Sequence, residues 1–203
     1  EVFLRKSSTS HKRFTFTYAI TGAGKVLKPH LLFSGLVNKP NVDKQCLVDV
    51  NRTGMWNETI LINFIADAIM TRRQSAFGRE PVLVLCDSYG THVKFVELEK
   101  EKKKYAKHNI HFMLIPPNMT GLLQPEDVSL NRSFQQHYST NYDKYLADAL
   151  EDDNPNLRTK AGNIKSPNYS LVSKWILEWI DSLSHETVQK AFKVCGLVAK
   201  DEF

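Results

Sequence analysis

Aromatic residues and threonines alternate over Phe14-Thr-Phe-Thr-Tyr-Ala-Ile20, a period of two that predicts a strand. Thr21-Gly-Ala-Gly-Lys25 turns the chain, and Val26 to Phe33 supplies a hairpin partner. Cys46 to Val50 reads as a short strand. Trp56 to Arg73 is an amphipathic helix with Leu61, Ile65, Ala68 and Ile69 on one face. Asn57 caps its start, and Arg72 and Arg73 suit the negative end of its dipole. After Gly78, the unbroken apolar run Val82-Leu-Val-Leu-Cys86 predicts a buried central strand. A helix through roughly 93–107 and a second strand, Ile110 to Ile115, come next. Pro125 suits the first turn of a helix running to about Leu150. Leu171, Val172, Trp175, Ile176, Trp179, Ile180 and Leu183 form a helical stripe, and Ser184 caps a last helix ending at Gly196.

This order of elements is that of an α/β domain, a mixed sheet with helices packed on it. The helix between strands 82–86 and 110–115 makes them parallel, with a right-handed crossover. Residues 1–203 are read as one domain, long enough to bury a sizeable core. Its N-terminal segment 1–13 is polar and basic (Arg5, Lys6, His11, Lys12, Arg13). Residues 151–169, with acids, two prolines, Gly162 and several asparagines, read as a flexible surface insertion.

Composition narrows the class. Hydrophobic content of 42% with 24% charged residues is that of a globular chain, not a disordered one. No apolar run reaches the roughly 18 residues of a membrane span, and no signal peptide is visible. The absence of an initiator Met is expected for an excised or fragmentary segment. Cys46, Cys86 and Cys195 are widely spaced and in apolar contexts, as expected of buried reduced thiols, and no CxxC or Cys/His cluster supports zinc. A net charge of +5 modestly favours an acidic partner.

Three places could carry chemistry. Asp87 comes directly after the apolar run 82–86, and sites in such sheets gather beyond the carboxyl ends of strands. A carboxylate there is a hard oxygen donor for Mg²⁺. Asp127 sits just behind Pro125, where unpaired N–H groups of a helix start favour the ionised form. Asn131 lies one turn on, on the same face, and Glu126 is an adjacent acidic alternative. Each has an ordinary reading too: Asp87 as a turn residue, Asp127 as a plain helix-start acid, His92 as a structural histidine. The third place is the basic run Lys94, Lys100, Lys102, Lys103, Lys104 and Lys107, interleaved with Glu97, Glu99 and Glu101. It reads first as a solvated helix face with intrahelical pairs, and second, with Arg132, as phosphate contacts. Trp175 and Trp179 read as core. Gly22-x-Gly24-Lys25 lacks the spacing of a Walker phosphate loop and reads as a turn.

Asp87-Ser-Tyr-Gly-Thr-His92, with Leu114-Ile-Pro-Pro-Asn-Met-Thr-Gly-Leu-Leu-Gln-Pro-Glu-Asp127-Val-Ser-Leu-Asn131 after it, resembles the DDE superfamily endonuclease domain of pogo/Tigger/Jerky-type transposases. Asn51-Arg-Thr-Gly-Met-Trp56 and Ala191-Phe-Lys-Val-Cys-Gly196 extend the resemblance from about Phe14 to Gly196. It implies an RNase H-like fold and three carboxylates holding two Mg²⁺ (or Mn²⁺) ions for phosphodiester cleavage and strand transfer on DNA. Asp87 corresponds to the second acid and Asp127 to the third, with 39 residues between them. His92, Gln124, Glu126 and Asn131 take supporting places. Ser88 stands where many relatives have Asn. The family's first acid lies on a strand preceding Phe14, where Glu1 is the sole carboxylate and sits too close. The first strand and its acid are therefore expected to be missing, and the chain inactive alone. The resemblance also implies a nuclear protein, with any homodimer formed through other regions of the parent. A domesticated remnant that binds DNA or chromatin without catalysis is the alternative.

Overall fold

The computed structural model describes residues 14–70, 80–152 and 155–198. The basic segment 1–13, Glu1, the helix end with Arg72 and Arg73, and Gly78 lie outside the described residues. The α/β class expected from the order of elements holds. Contacts group the chain into two compact units that interleave along the sequence.

The first unit takes residues up to Phe16, Leu31–Met55 and Arg132–Leu183. Its sheet has the order β1 (Phe14–Thr17), β2 (His30–Ser34), β3 (Leu47–Asn51). The core joins Leu31, Phe33 and Cys46 to Val172 and Ile176 of a helix spanning Tyr169–Ser182, with Phe14, Phe16, Phe134 and Tyr138 packed around them. Asn168 caps that helix by accepting from the Leu171 N–H at 2.8 Å. Trp175 and Trp179 are buried, as their spacing predicts, and the Trp179 indole N–H donates to Ser133 Oγ at 3.1 Å. Within 151–169 the described residues include an antiparallel bridge, Arg158 to Ile164, closed by a Thr159 N–H to Asn163 carbonyl bond of 2.7 Å.

The first strand is shorter than its alternation suggests. Beyond Thr17 the hairpin continues only as a single bridge, Ile20 to Val26. Its partner strand starts at His30 rather than Val26, directly after Pro29, which has no N–H to give a ladder. The turn explains its glycines: Gly24 has φ +87°, and a Cβ there would lie 2.6 Å from the His185 carbonyl oxygen.

The second unit takes Thr17–His30, Trp56–Asn131 and the chain from Ser184. Helix α1 (Glu58–Phe64) is capped by Asn57, whose Oδ1 accepts from the Ile60 N–H at 2.9 Å, and runs on as a π-helical turn over Ile65–Ile69. Leu61, Ile65, Ala68 and Ile69 are buried, the face expected. Strands β4 (Val82–Cys86) and β5 (Ile110–Leu114) pair in parallel, Val82 with Ile110 through Cys86 with Leu114. Among the described residues β4 is not the buried central strand its apolar run suggests: it pairs with β5 alone, and Leu83 is 54% exposed.

The single helix expected over 93–107 is two, α2 (Gly90–Glu97) and α3 (Glu99–Ala106), parted at Leu98 with ψ 108°. Phe95 and Tyr105 both clasp Phe112 of β5, at 5.1 and 5.4 Å between centroids, and lie 5.7 Å from each other. Ten residues of unbroken helix would hold them about 15 Å apart along the axis. The break lets both rings reach one strand residue. Past β5 come a short helix α4 (Thr120–Leu123), a π-helical turn (Glu126–Leu130) and the long helix α5 (Asn131–Glu151). With Tyr169–Ser182 as α6, Ser184 caps α7 (His185–Val194), and Gly196 stands just beyond it at φ +67°.

Candidate active site at the tip of the parallel strands

The strand pair delivers its last residues to one level. The ladder extends one step further, with the Ile115 N–H donating to the Cys86 carbonyl at 2.7 Å. Ser88 Oγ donates to the Ile115 carbonyl and so ties the two strand exits together. Asp87, between these fastenings, leaves the sheet just ahead of α2.

One oxygen of Asp87 is committed. Oδ1 accepts from the Tyr89 N–H at 3.1 Å and lies 2.6 Å from His92 Nδ1. An ionised carboxylate only accepts, so Nδ1 carries the proton and Nε2 of a neutral ring keeps its lone pair. The hydrogen bond from His92 holds the Asp87 carboxyl below its usual range against the opposing cost of burial, with the Tyr89 N–H adding to the effect. His92 is held edge-on between Tyr89 and Trp56, at 5.7 and 6.3 Å. Tyr89 and Thr91 both donate hydroxyls to the Trp56 carbonyl, at 3.5 and 3.3 Å.

The second acidic element is the π-helical turn. Pro125 is buried at its start, Glu126 is half-buried and Asp127 is exposed. Burial pushes the Glu126 carboxyl up to about 7, and the charges of Asp127 and Asp87 add to this. Glu126 thus feels both other acids. The Cys86 thiol, pushed up to about 12 by burial, also feels Asp87 and Glu126. Asp127 Oδ1 accepts from Asn131 Nδ2 at 2.6 Å, and Asn131 Oδ1 accepts from the Tyr18 hydroxyl at 2.7 Å. Burial, then Glu126 and Asp127, raise the Tyr18 phenol and keep it protonated.

The geometry therefore brings His92 onto Asp87, Asn131 onto Asp127, and Glu126 into the field of both acids. Gln124 leaves its Oε1 buried with no hydrogen-bond partner among the described residues. Lys94, Lys102, Lys103 and Lys104 are exposed on α2 and α3. Lys102 pairs with Glu99 and Lys104 with Glu101, each at 3.6 Å, the intrahelical pairing their spacing suggests. Arg132 is exposed in the first turn of α5. Sequence reasoning missed Tyr18, Trp56 and Tyr89. Tyr18 left one trace: it is the last aromatic of the alternating strand and the one with a hydroxyl to place.

The oxygen donors here are carboxylates and an amide, which suit a hard divalent cation. The charges of Asp127 and Asp87 act against ionisation of Glu126, and a divalent cation would offset them. Among the described residues, no group of three or more His, Cys, Asp or Glu side chains is arranged to hold a metal ion. Carboxylates can hold a hydrated ion with few protein ligands, and the two acids Asp87 and Asp127 alone do not make a two-ion cage.

Residues 9–192 match the family described as DDE superfamily endonuclease. Among curated proteins the chain is similar to "Pogo transposable element with KRAB domain" of Mus musculus, 21% identical over 91% of this chain and 29% of that protein. The Homo sapiens protein of the same description is 20% identical over 97% of this chain and 31% of that protein. The chain thus spans less than a third of the length of these relatives. No solved structure matches it. Members of this family are generally dependent on divalent metals, and the α/β architecture of this chain is consistent with an RNase H-like domain. With nearly its whole length matched, the chain belongs to the DDE superfamily endonucleases.

Proposed function

We propose that this chain forms a pogo-type transposase endonuclease domain that acts on DNA in the nucleus. The observation that carries the reading is Asp87: a carboxylate at a strand exit, one oxygen fixed by His92 and Tyr89, in the field of the Glu126-Asp127 turn. Asp87 and Asp127 are the ligands this chain contributes to Mg²⁺ or Mn²⁺. The resemblance calls for a third acid, and none of the described residues is matched to it. In a site with all three acids, two ions would supply activation of water or a 3′-hydroxyl and stabilisation of the leaving oxygen.

The chain's own residues do the positioning. His92 fixes the rotation of the Asp87 carboxylate and leaves Oδ2 for a cation. Asn131 does the same for Asp127. Exposed Lys94, Lys102, Lys103, Lys104 and Arg132 supply sequence-independent phosphate contacts, which weaken steeply with salt. Any homodimer forms through regions of the parent outside this chain.

The test is Mn²⁺-dependent nicking of plasmid DNA by the full-length protein. Asp87→Ala and Asp127→Ala are expected to abolish nicking and to leave salt-sensitive DNA binding in place. Unchanged nicking by either variant overturns the metal-ligand role of the acid it removes. Salt-sensitive DNA binding without nicking by the parent itself would favour a domesticated DNA- or chromatin-binding module.

A further inference from the structure

We infer that Tyr18 is a positioning residue that decides which oxygen of Asp127 is presented to a divalent cation, acting through the amide of Asn131. The inference rests on the reading of Asp127 as a metal ligand. Tyr18 reaches Asn131 from 113 positions away in the chain, with its hydroxyl 2.7 Å from Asn131 Oδ1. Asn131 Nδ2 lies 2.6 Å from Asp127 Oδ1. Each link has one permitted direction. The Asp127 carboxylate accepts only, so Asn131 must turn its NH₂ towards it. That turns the amide oxygen to Tyr18, where the phenol must donate. A flipped amide would set two oxygens without a proton between them.

The direction is stable because the phenol keeps its proton beside Glu126 and Asp127. Asp127 is exposed, and Asn131 donates to it among the described residues. Without Tyr18 the carboxylate still draws the Asn131 NH₂, but the other end of the amide loses its anchor. Asn131 and Asp127 can then turn together and change the oxygen that faces a cation. With Tyr18 in place, Oδ1 is occupied and Oδ2 is the free donor. Supporting groups of this kind typically change metal affinity about 10-fold to 100-fold when removed.

The test uses the 203-residue chain, its Tyr18→Phe and Asn131→Leu variants, and the double variant. Tyr18→Phe keeps the ring and removes the proton donor, and a preserved thermal transition checks folding. Two readouts are taken: the Asn131 side-chain amide signals by NMR without metal, and Mn²⁺ affinity by calorimetry. Tyr18→Phe is expected to move the Asn131 amide signals and speed their exchange, and to weaken Mn²⁺ binding about 10-fold. Asn131→Leu is expected to weaken binding to a similar degree, and adding Tyr18→Phe to it should cost nothing further. Unmoved Asn131 signals, additive losses in the double variant, or unchanged Mn²⁺ affinity in Tyr18→Phe would each overturn the inference. A parent chain that binds no Mn²⁺ overturns the metal role of Asp127 along with it, and is told apart because the failure shows in the unaltered protein.

Discussion

β2 and β4 are both short apolar strands, His30-Leu-Leu-Phe-Ser34 and Val82-Leu-Val-Leu-Cys86, and they fare differently. In β2, the middle strand of its sheet, Leu31, Leu32 and Phe33 are 0%, 0% and 1% exposed. β4 has one strand neighbour among the described residues. Its face bearing Phe112's partner Val84 lies under α2 and α3, and on the other face Leu83 and Met113 are 54% and 53% exposed. An apolar run thus sets strand propensity, while neighbours on both edges and both faces set burial. β2 is where this molecule stores stability. β4 ends at Asp87, the carboxylate proposed as a metal ligand. Phe33→Ala sharpens the contrast most: lost transfer energy and a residual cavity are expected to cost roughly 3–5 kcal/mol. The shift in denaturant midpoint at unchanged slope measures it, and a loss under about 1 kcal/mol would break the comparison at its stronger side.

The acids beside β4 carry a cost that the β2 core does not have. Glu126 has a folded value of about 7 against an ordinary 4.5. Between those values the folded chain holds a proton that the unfolded chain has released, so stability falls as pH rises through that window. The full loss, reached above about pH 7, is at most about 3 kcal/mol. Asp87 works in the opposite sense. Its lowered value makes a contribution that is present above its ordinary 3.8 and lost as pH falls through the folded value, outside the Glu126 window. Glu126→Gln, studied with chelator present, should therefore be more stable than the parent at pH 8 and no more stable at pH 4. A thermal midpoint of the parent that stays level from pH 4.5 to 7 would show that Glu126 is solvated.

Asp87 was legible in the sequence because a strand that stops at a carboxylate announces its own tip. The capping residues Asn57 and Ser184, and the buried Trp175 and Trp179, were legible because local spacing decides them. The features that escaped were set by distant partners. Nothing around Leu98 breaks a helix; the break is fixed by Phe95 and Tyr105 converging on Phe112. Which of Glu126 and Asp127 faces inward depends on the phase of a π-helical turn, and a 3.6-residue period does not foresee it. Tyr18 could be seen to need a partner, but Asn131 lies too far along the chain for any local pattern to supply it.

The smallest effect tests the open side of the comparison. Leu83 stands on the exposed face of the strand pair beside His111, and a surface site of this kind tolerates exchange for a polar residue of good strand propensity. Leu83→Thr should change stability by no more than about 0.5 kcal/mol, measured in the same denaturant series as Phe33→Ala. The strand ladder, the Asp87 hydrogen bonds and the rings on Phe112 are all independent of that side chain, so pairing and site should persist. A loss above about 2 kcal/mol would mean that Leu83 is buried in solution, and β4 would then differ from β2 only in ending at a carboxylate.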